Sequence, residues 1–250
     1  MNTKKHKPIL GISIGDINGI GVEVTLRALL DARVYKNFTP LIYGHGKVIS
    51  HYRKLMELED FNFSQIRNLD EIQHRKINVI NVVEECPEIM PGVETIEAGK
   101  LALTALKAAV NDLKEGKIQG LVTAPVNKNN INSEDFKFVG HTEFITESVG
   151  AKDSLMMMVG ESLRVGLVTG HLPLSKVPQA VTKERILQKA TIFLKSLQED
   201  FGINKPKIAI LGLNPHAGED GLLGTEEEEI LKPAIRELKD QNKLVFGPYP

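Results

Sequence analysis

The stretch Pro8-Ile9-Leu10-Gly11-Ile12-Ser13-Ile14-Gly15-Asp16-Ile17-Asn18-Gly19-Ile20-Gly21 decides the fold class. Its first half is too apolar to alternate and too short for a helix, the pattern of a strand buried on both faces. Gly15 to Gly21 forms a glycine-punctuated loop, and Val22 to Leu30 reads as the helix that follows it. Strand, glycine-rich turn and helix in that order invite a nucleotide site. The spacing, however, is G-D-x-x-G-x-G, neither the dinucleotide fingerprint nor the phosphate loop ending in G-K-[ST]. The next strand, Thr39 to Tyr43, runs into Gly44-His45-Gly46-Lys47 and lacks the acidic residue that would hold a ribose. The loop is therefore expected to bend tightly and bring backbone near a ligand or a neighbouring strand. Asp16 either faces a ligand or caps the helix region.

Outward from this unit, strand and helix patterns alternate. Lys76 to Val83 reads as a strand, and Cys86 to Gly92 as an irregular connector. Ile96, Leu103, Leu106, Val110 and Leu113 place one apolar face on a helix from Thr95 to Leu113, stopped by Gly116. Gly120 to Ala124 is a strand that leaves through Pro125 and the polar run Asn127 to Asn130. Phe138 to Glu143 opens another helix, with Thr142 as its N-cap. Leu155 to Val159 and Leu163 to Thr169 form a hairpin across Gly160-Glu161-Ser162, with Met156 to Met158 as strand core. A helix from Lys183 to Leu197 buries Ile186, Leu187, Ala190, Phe193, Leu194 and Leu197. Lys207 to Leu213 is a strand broken at Asn214-Pro215-His216-Ala217-Gly218. Thr225 with Glu228 makes a capping box for a helix reaching Leu238. Glu226 to Glu229 read as a carboxylate-rich first turn favoured by the helix dipole. The order predicts an α/β fold with a mostly parallel mixed sheet and an antiparallel hairpin. Two lobes are expected, 1–130 and 131–250.

The chain has 250 residues, 42% hydrophobic and 25% charged, with Lys+Arg 31 against Asp+Glu 32. That composition belongs to a globular protein with a sizeable core, and the balance offers no global attraction to nucleic acid. No run reaches the roughly 20 apolar residues that span a bilayer. The basic start, Met1 to Lys7, precedes too short an apolar stretch for a secretory leader. The single cysteine, Cys86, forms no internal disulfide and is read as an inert thiol in a reducing, cytoplasmic setting.

Chemistry-bearing residues collect where strands end, the usual place for sites in such folds. His171 and His216 each follow a strand in a Gly/Pro-punctuated loop. Neutral imidazole is a common metal ligand, so these two are candidate metal ligands, the alternative being polar loop residues. Glu219, Asp220 or another chain would have to supply more donors. His141 and Thr142 open a helix, where N–H groups and the dipole favour a phosphate or carboxylate. Lys128 either meets the same anion or is an exposed loop lysine. His6, His45, His51 and His74 have no partner spacing and read as surface residues.

Taken together, Gly15-Asp16-x-x-Gly19-Ile20-Gly21, Thr123-Ala124-Pro125-Val126-Asn127-Lys128, Gly140-His141-Thr142-Glu143, His171-Leu172-Pro173-Leu174, Leu213 to Glu219 and Gly224-Thr225-Glu226 resemble the 4-hydroxythreonine-4-phosphate dehydrogenase family of pyridoxal phosphate biosynthesis. The resemblance implies an isocitrate/isopropylmalate dehydrogenase-like fold that binds NAD or NADP without the dinucleotide fingerprint. It implies one divalent metal ion per subunit, such as zinc, magnesium or cobalt, on His171 and His216, and substrate contacts from His141 and Thr142. It further implies a homodimer whose site lies between lobes and is completed by the partner subunit. The implied reaction oxidises 4-phosphooxy-L-threonine to a β-keto acid, which decarboxylates to 3-amino-2-oxopropyl phosphate.

Two departures accompany it. Ile17-Asn18 and Val22 stand where the family has Pro-Ala and Pro. The family also continues past Pro250 with a third metal histidine, so the chain is read as a truncated form with little activity alone. Two further readings stand beside it, a dehydrogenase of threonate or erythronate 4-phosphate and a noncatalytic phosphate-binding fragment.

Overall fold

The computed structural model describes residues 7–132, 137 and 139–250. Phe138 and most of the basic N-terminal run, both singled out in the sequence, lie outside these residues. Contacts divide the chain between Lys152 and Asp153.

In the first unit, the opening apolar stretch is β1 (Ile9–Ser13), followed by α1 (Gly21–Leu30), β2 (Thr39–Gly44) and α2 (Gly46–Leu55). Then come β3 (Phe63–Ile66), β4 (Ile77–Asn81), α3 (Ile96–Lys114), β5 (Gly120–Thr123), α4 (Lys128–Ile131) and α5 (His141–Ser148). The strands form one five-stranded sheet, ordered β3-β4-β2-β1-β5. All its pairings are parallel. β1 pairs with β2 on one side and β5 on the other, Gly11 facing both Leu41 and Leu121. Connections leave β1 toward β2 and arrive at β5 from α3, so the strand order reverses beside β1. The carboxyl ends of β1 and β5 are thus the topological switch point, where ligands gather in open α/β sheets.

α3 packs in two directions. Ala98, Leu101, Ala105 and Ala109 join the sheet's core, while Leu106 and Val110 face Ile131, Phe144, Ile145 and Val149 of α4, α5 and its end. A single face through Ile96 therefore does not describe it: Ile96 is 63% exposed. Alanine on the sheet side lets the helix approach, and alanines carry little periodic signal. The same packing ties α4 and α5 to the first unit, so the division falls later than the boundary near residue 130 expected from sequence. Gly116 ends α3 at φ +73°, as expected.

The second unit starts with a hairpin of β6 (Met157–Val159) and β7 (Arg164–Gly166), closed by Gly160 N–H donating to Leu163 O at 2.8 Å. Met158 is 63% exposed and does not serve as strand core. α6 (Val177–Ala180) and α7 (Lys183–Glu199) follow, the latter capped by Thr182, whose hydroxyl accepts from Arg185 N–H. β8 (Lys207–Leu211), a π-helical turn over Glu227–Leu231, α8 (Lys232–Asp240) and β9 (Leu244–Tyr249) complete it. β8 and β9 pair in parallel, and the core gathers Ala190, Leu194, Leu197, Ile208, Ile235, Leu238 and Val245. The apolar stripe read on α7 is the face that packs.

The protein has an α/β fold with a mostly parallel sheet. No helix among the described residues is long and apolar enough to cross a membrane.

Candidate functional site

At the switch point of the first unit, Gly15 sits at φ +69°, and a Cβ there would lie 2.3 Å from Pro125 O. Only glycine allows that turn. Asp16 N–H donates to the same carbonyl at 3.0 Å, so the loop after β1 is fastened to the exit of β5. The Asp16 side chain is 7% exposed. Its carboxylate accepts from Asn18 N–H at 2.9 Å and from Asn130 Nδ2 at 3.1 Å. Asp16 therefore caps the loop and holds α4; these bonds use both carboxylate oxygens.

Asn18, one of the departures from the family pattern, is the hub of the loop. Its Nδ2 donates to Val93 O and Thr95 Oγ1, and its Oδ1 accepts from Met90 N–H at 2.8 Å. The neighbouring Ile17 is fully buried, and its carbonyl accepts from Tyr52 Oη at 2.7 Å. Val22, the third departure, is likewise buried in the core. Asn18 thus braces the loop against the N-terminus of α3, and Ile17 ties it to α2.

Beyond β5, Asn127 caps α4 through Asn129 N–H and donates to Glu94 Oε2 at 2.6 Å. Lys128 is exposed, with Nζ 3.4 Å from Val139 O. α5 starts at His141, and its N-cap is Gly140, not Thr142. Gly140 itself brings no side chain to the first-turn N–H groups. Thr142 is exposed in that turn, its carbonyl accepting from Thr146 Oγ1. His141 is half-buried; burial, then the nearby Lys128 ammonium, holds its pKa below the ordinary histidine value. His141, Thr142 and Lys128 thus combine a helix N-terminus with a neighbouring positive charge.

His45 departs from its surface reading. It is 4% exposed and caps α2, its Nδ1 accepting from Lys47 N–H at 3.1 Å. Cys86 is partly buried, and burial pushes its thiol pKa up, which suits an inert thiol.

The second unit carries both His171 and His216, each exposed in the loop that follows a strand. His171 has φ +49°. His216 begins a left-handed turn in which Ala217, Gly218, Glu219 and Asp220 also have positive φ, from 44° to 81°. Each non-glycine residue there costs on the order of 1–2 kcal/mol, so surrounding bonds must hold the turn.

Glu227 supplies such bonds, and the sequence reading missed it. It is 1% exposed. Its Oε1 accepts from Leu213 N–H and Asn214 N–H, both at 2.7 Å, and its Oε2 from Asn214 Nδ2 at 2.9 Å. Burial works against ionisation, but the bonds from Asn214 and Leu213 outweigh it and hold the carboxyl below its usual range. The predicted capping box is absent: Glu226 occupies the cap without a side-chain cap bond, its Oε2 accepting from Asn214 Nδ2 at 2.7 Å, and Thr225 contributes its carbonyl to Glu229 N–H. The acidic first turn is not simply solvated either. Glu227 turns inward, and Glu228 pairs with Lys232. A charge run hides such a residue, because sequence does not mark which carboxylate faces a neighbouring loop.

Two strand-end imidazoles in one unit suit a borderline divalent cation in chemistry. Their number falls short, since no group of three His, Cys, Asp or Glu among the described residues is arranged to hold a metal. Glu219 and Asp220 do not complete such a group.

The family model for "Pyridoxal phosphate biosynthetic protein PdxA" matches residues 36–250. The chain belongs to the PdxA family. A PdxA relative from Bacteroides thetaiotaomicron, named 4-hydroxythreonine-4-phosphate dehydrogenase, is 42% identical over 98% of this chain and 68% of its own length. A Clostridium botulinum relative, 34% identical over 97% of this chain and 73% of its own, is named as a candidate D-threonate 4-phosphate dehydrogenase. The crystal structure of a 4-hydroxythreonine-4-phosphate dehydrogenase from Burkholderia phymatum superposes with a TM-score of 0.85 at 30% identity, covering 98% of this chain and 75% of that one.

Proposed function

We propose that this PdxA-family chain belongs to a 4-hydroxythreonine-4-phosphate dehydrogenase. The enzyme oxidises 4-phosphooxy-L-threonine at C3 with NAD or NADP, and the resulting β-keto acid decarboxylates to 3-amino-2-oxopropyl phosphate. The carrying observation is the α5 N-terminus, with Gly140 at its cap and Lys128 beside it, in a chain of this family. There the N–H groups, the Thr142 hydroxyl and the Lys128 ammonium would bind the substrate phosphate. His141, kept neutral by burial and Lys128, would donate to the same anion from one ring nitrogen.

His171 and His216 would hold a zinc, magnesium or cobalt ion, with further donors from outside the described residues. When bound, such an ion would supply Lewis acidity and a nicotinamide coenzyme would supply the hydride acceptor. The chain's own part is to fix the phosphate and so position the reacting carbon, which accounts for much of the catalysis in such sites. A homodimer acting in the cytoplasm is the assembly we infer, supported by the family resemblance and the single, partly buried cysteine.

Binding tests this reading. In calorimetry the protein is expected to prefer 4-phosphooxy-L-threonine to its unphosphorylated form, and His141→Ala to remove most of that preference. Equal binding of both forms by the unaltered protein would overturn it. The name carried by the Clostridium relative favours a second reading, a threonate 4-phosphate dehydrogenase. Tighter binding and faster coenzyme reduction with D-threonate 4-phosphate would decide for that one.

A further inference from the structure

The left-handed turn from His216 to Asp220 is held in place by something other than its own backbone preference. Four of its five residues are not glycine, yet all five have positive φ. Pro215 precedes the turn and Gly218 sits within it, but neither explains why His216 and Ala217 stay left-handed. Backbone bonds link Ala217 N–H to Asn214 O and Leu223 N–H to Gly218 O, Glu226 Oε2 accepts from the Asn214 amide at 2.7 Å, and the largest share of the side-chain bonds goes to Glu227. The Glu227 carboxylate receives the Leu213 and Asn214 N–H groups, which are the last two before Pro215, and the Asn214 amide. The turn also folds over that carboxylate: a Cβ on Gly218 would meet Glu227 Oε2 at 2.7 Å, and one on Gly212 would meet Oε1 at 3.3 Å. The chain is thus wrapped around a buried anion whose partners are N–H donors. A buried carboxylate without them would be strongly destabilising, so the loop and the carboxylate constrain each other.

We propose that Glu227 is the positioning residue of His216: its carboxylate clamps the end of β8 to the π-helical turn before α8 and so sets the strained turn that presents the imidazole. The ligand role of His216 comes from the proposed function, and the inference rests on that reading for its consequence but not for the clamp. Outer groups that orient ligating histidines typically contribute 10–100-fold in metal affinity.

Glu227→Gln keeps the shape but turns an amide NH2 toward N–H donors. Two measurements on the metal-free and Co2+-loaded protein test the idea. Amide exchange across 213–221 is expected to accelerate by at least about tenfold in Glu227→Gln, with exchange in α7 unchanged. Co2+ affinity, followed by its absorption spectrum, is expected to fall by about 10–100-fold. Should Glu227→Gln fail to fold, Asn214→Ala removes the amide that Glu227 shares with Glu226 while keeping both N–H donors to Glu227, and is expected to move both readouts in the same direction by a smaller factor. Unchanged exchange at 213–221 would overturn the clamp. Accelerated exchange with unaltered Co2+ affinity, while His216→Ala abolishes Co2+ binding, would overturn the positioning role and leave the metal reading standing. Unaltered Co2+ binding in His216→Ala would instead remove the metal reading, and the exchange data alone would then decide for or against the clamp.

Discussion

His141 shows how much chemistry one environment can set. Burial and the Lys128 charge hold its pKa below the ordinary value, so the folded state resists protonation that the unfolded chain accepts. A histidine of this kind contributes stability above its unfolded pKa, near about 6.5, and loses it as pH falls through that value toward the folded one. His141→Gln is therefore expected to flatten the loss of stability between about pH 7 and pH 5, read as urea midpoints at several pH values. A slope identical to the parent's would count against the burial argument. Gly15 makes a sharper case. Its positive φ and the 2.3 Å approach to Pro125 O both forbid a side chain. Gly15→Ala is expected to cost at least about 2 kcal/mol in denaturant unfolding, because a backbone oxygen cannot swing aside. The glycine and its sharp bend could be read from the motif. The partner could not, since Pro125 lies 110 residues away.

Among the elements, α3 depends on close approach. A Cβ on Gly99 would lie 2.0 Å from Asn130 O, so α4 packs directly on the helix backbone. Alanine for glycine gains about 1 kcal/mol of helix propensity, but displacing α4 also breaks the Asn130 bond to Asp16. The clash wins, and Gly99→Ala is expected to lower stability by about 2 kcal/mol in chemical unfolding. A stabilised variant would show that α4 yields freely. The fully buried Leu106, between α3 and α5, is expected to cost about 2–5 kcal/mol on truncation to alanine, with the largest gain in amide exchange in α5. Helix α3 and the α7 stripe are plain from their period, and β1, β4, β5 and the hairpin from short apolar runs bounded by turn residues. β3 and α2 are not. β3 is a four-residue edge strand, too short to show alternation, and α2 begins in a glycine-rich stretch that reads as loop.

For the whole molecule, the candidate residues divide by unit: His141 and Thr142 belong to the first, His171 and His216 to the second. Single replacement of His171 or His216 by alanine is expected to weaken Co2+ or Zn2+ binding by at least about tenfold, as loss of one of few ligands should, while leaving circular dichroism unchanged. Normal binding by both variants would defeat the metal assignment. Both residues are exposed, and circular dichroism separates a lost ligand from a lost fold.

From the sequence alone came the α/β class, the strand-end placement of the histidines, the glycine turn after β1 and the family they belong to. Those features follow from local pattern: burial on both faces removes alternation, and loop chemistry follows strand ends. Only the tertiary structure decided that Asp16 faces Asn130, that α5 packs with the first unit, that Gly140 caps it, and that Glu227 turns inward onto Leu213 and Asn214. Each of these depends on which group approaches from far along the chain. A hydrogen bond or a positive φ satisfied by a distant partner leaves no periodic trace in the residues that make it.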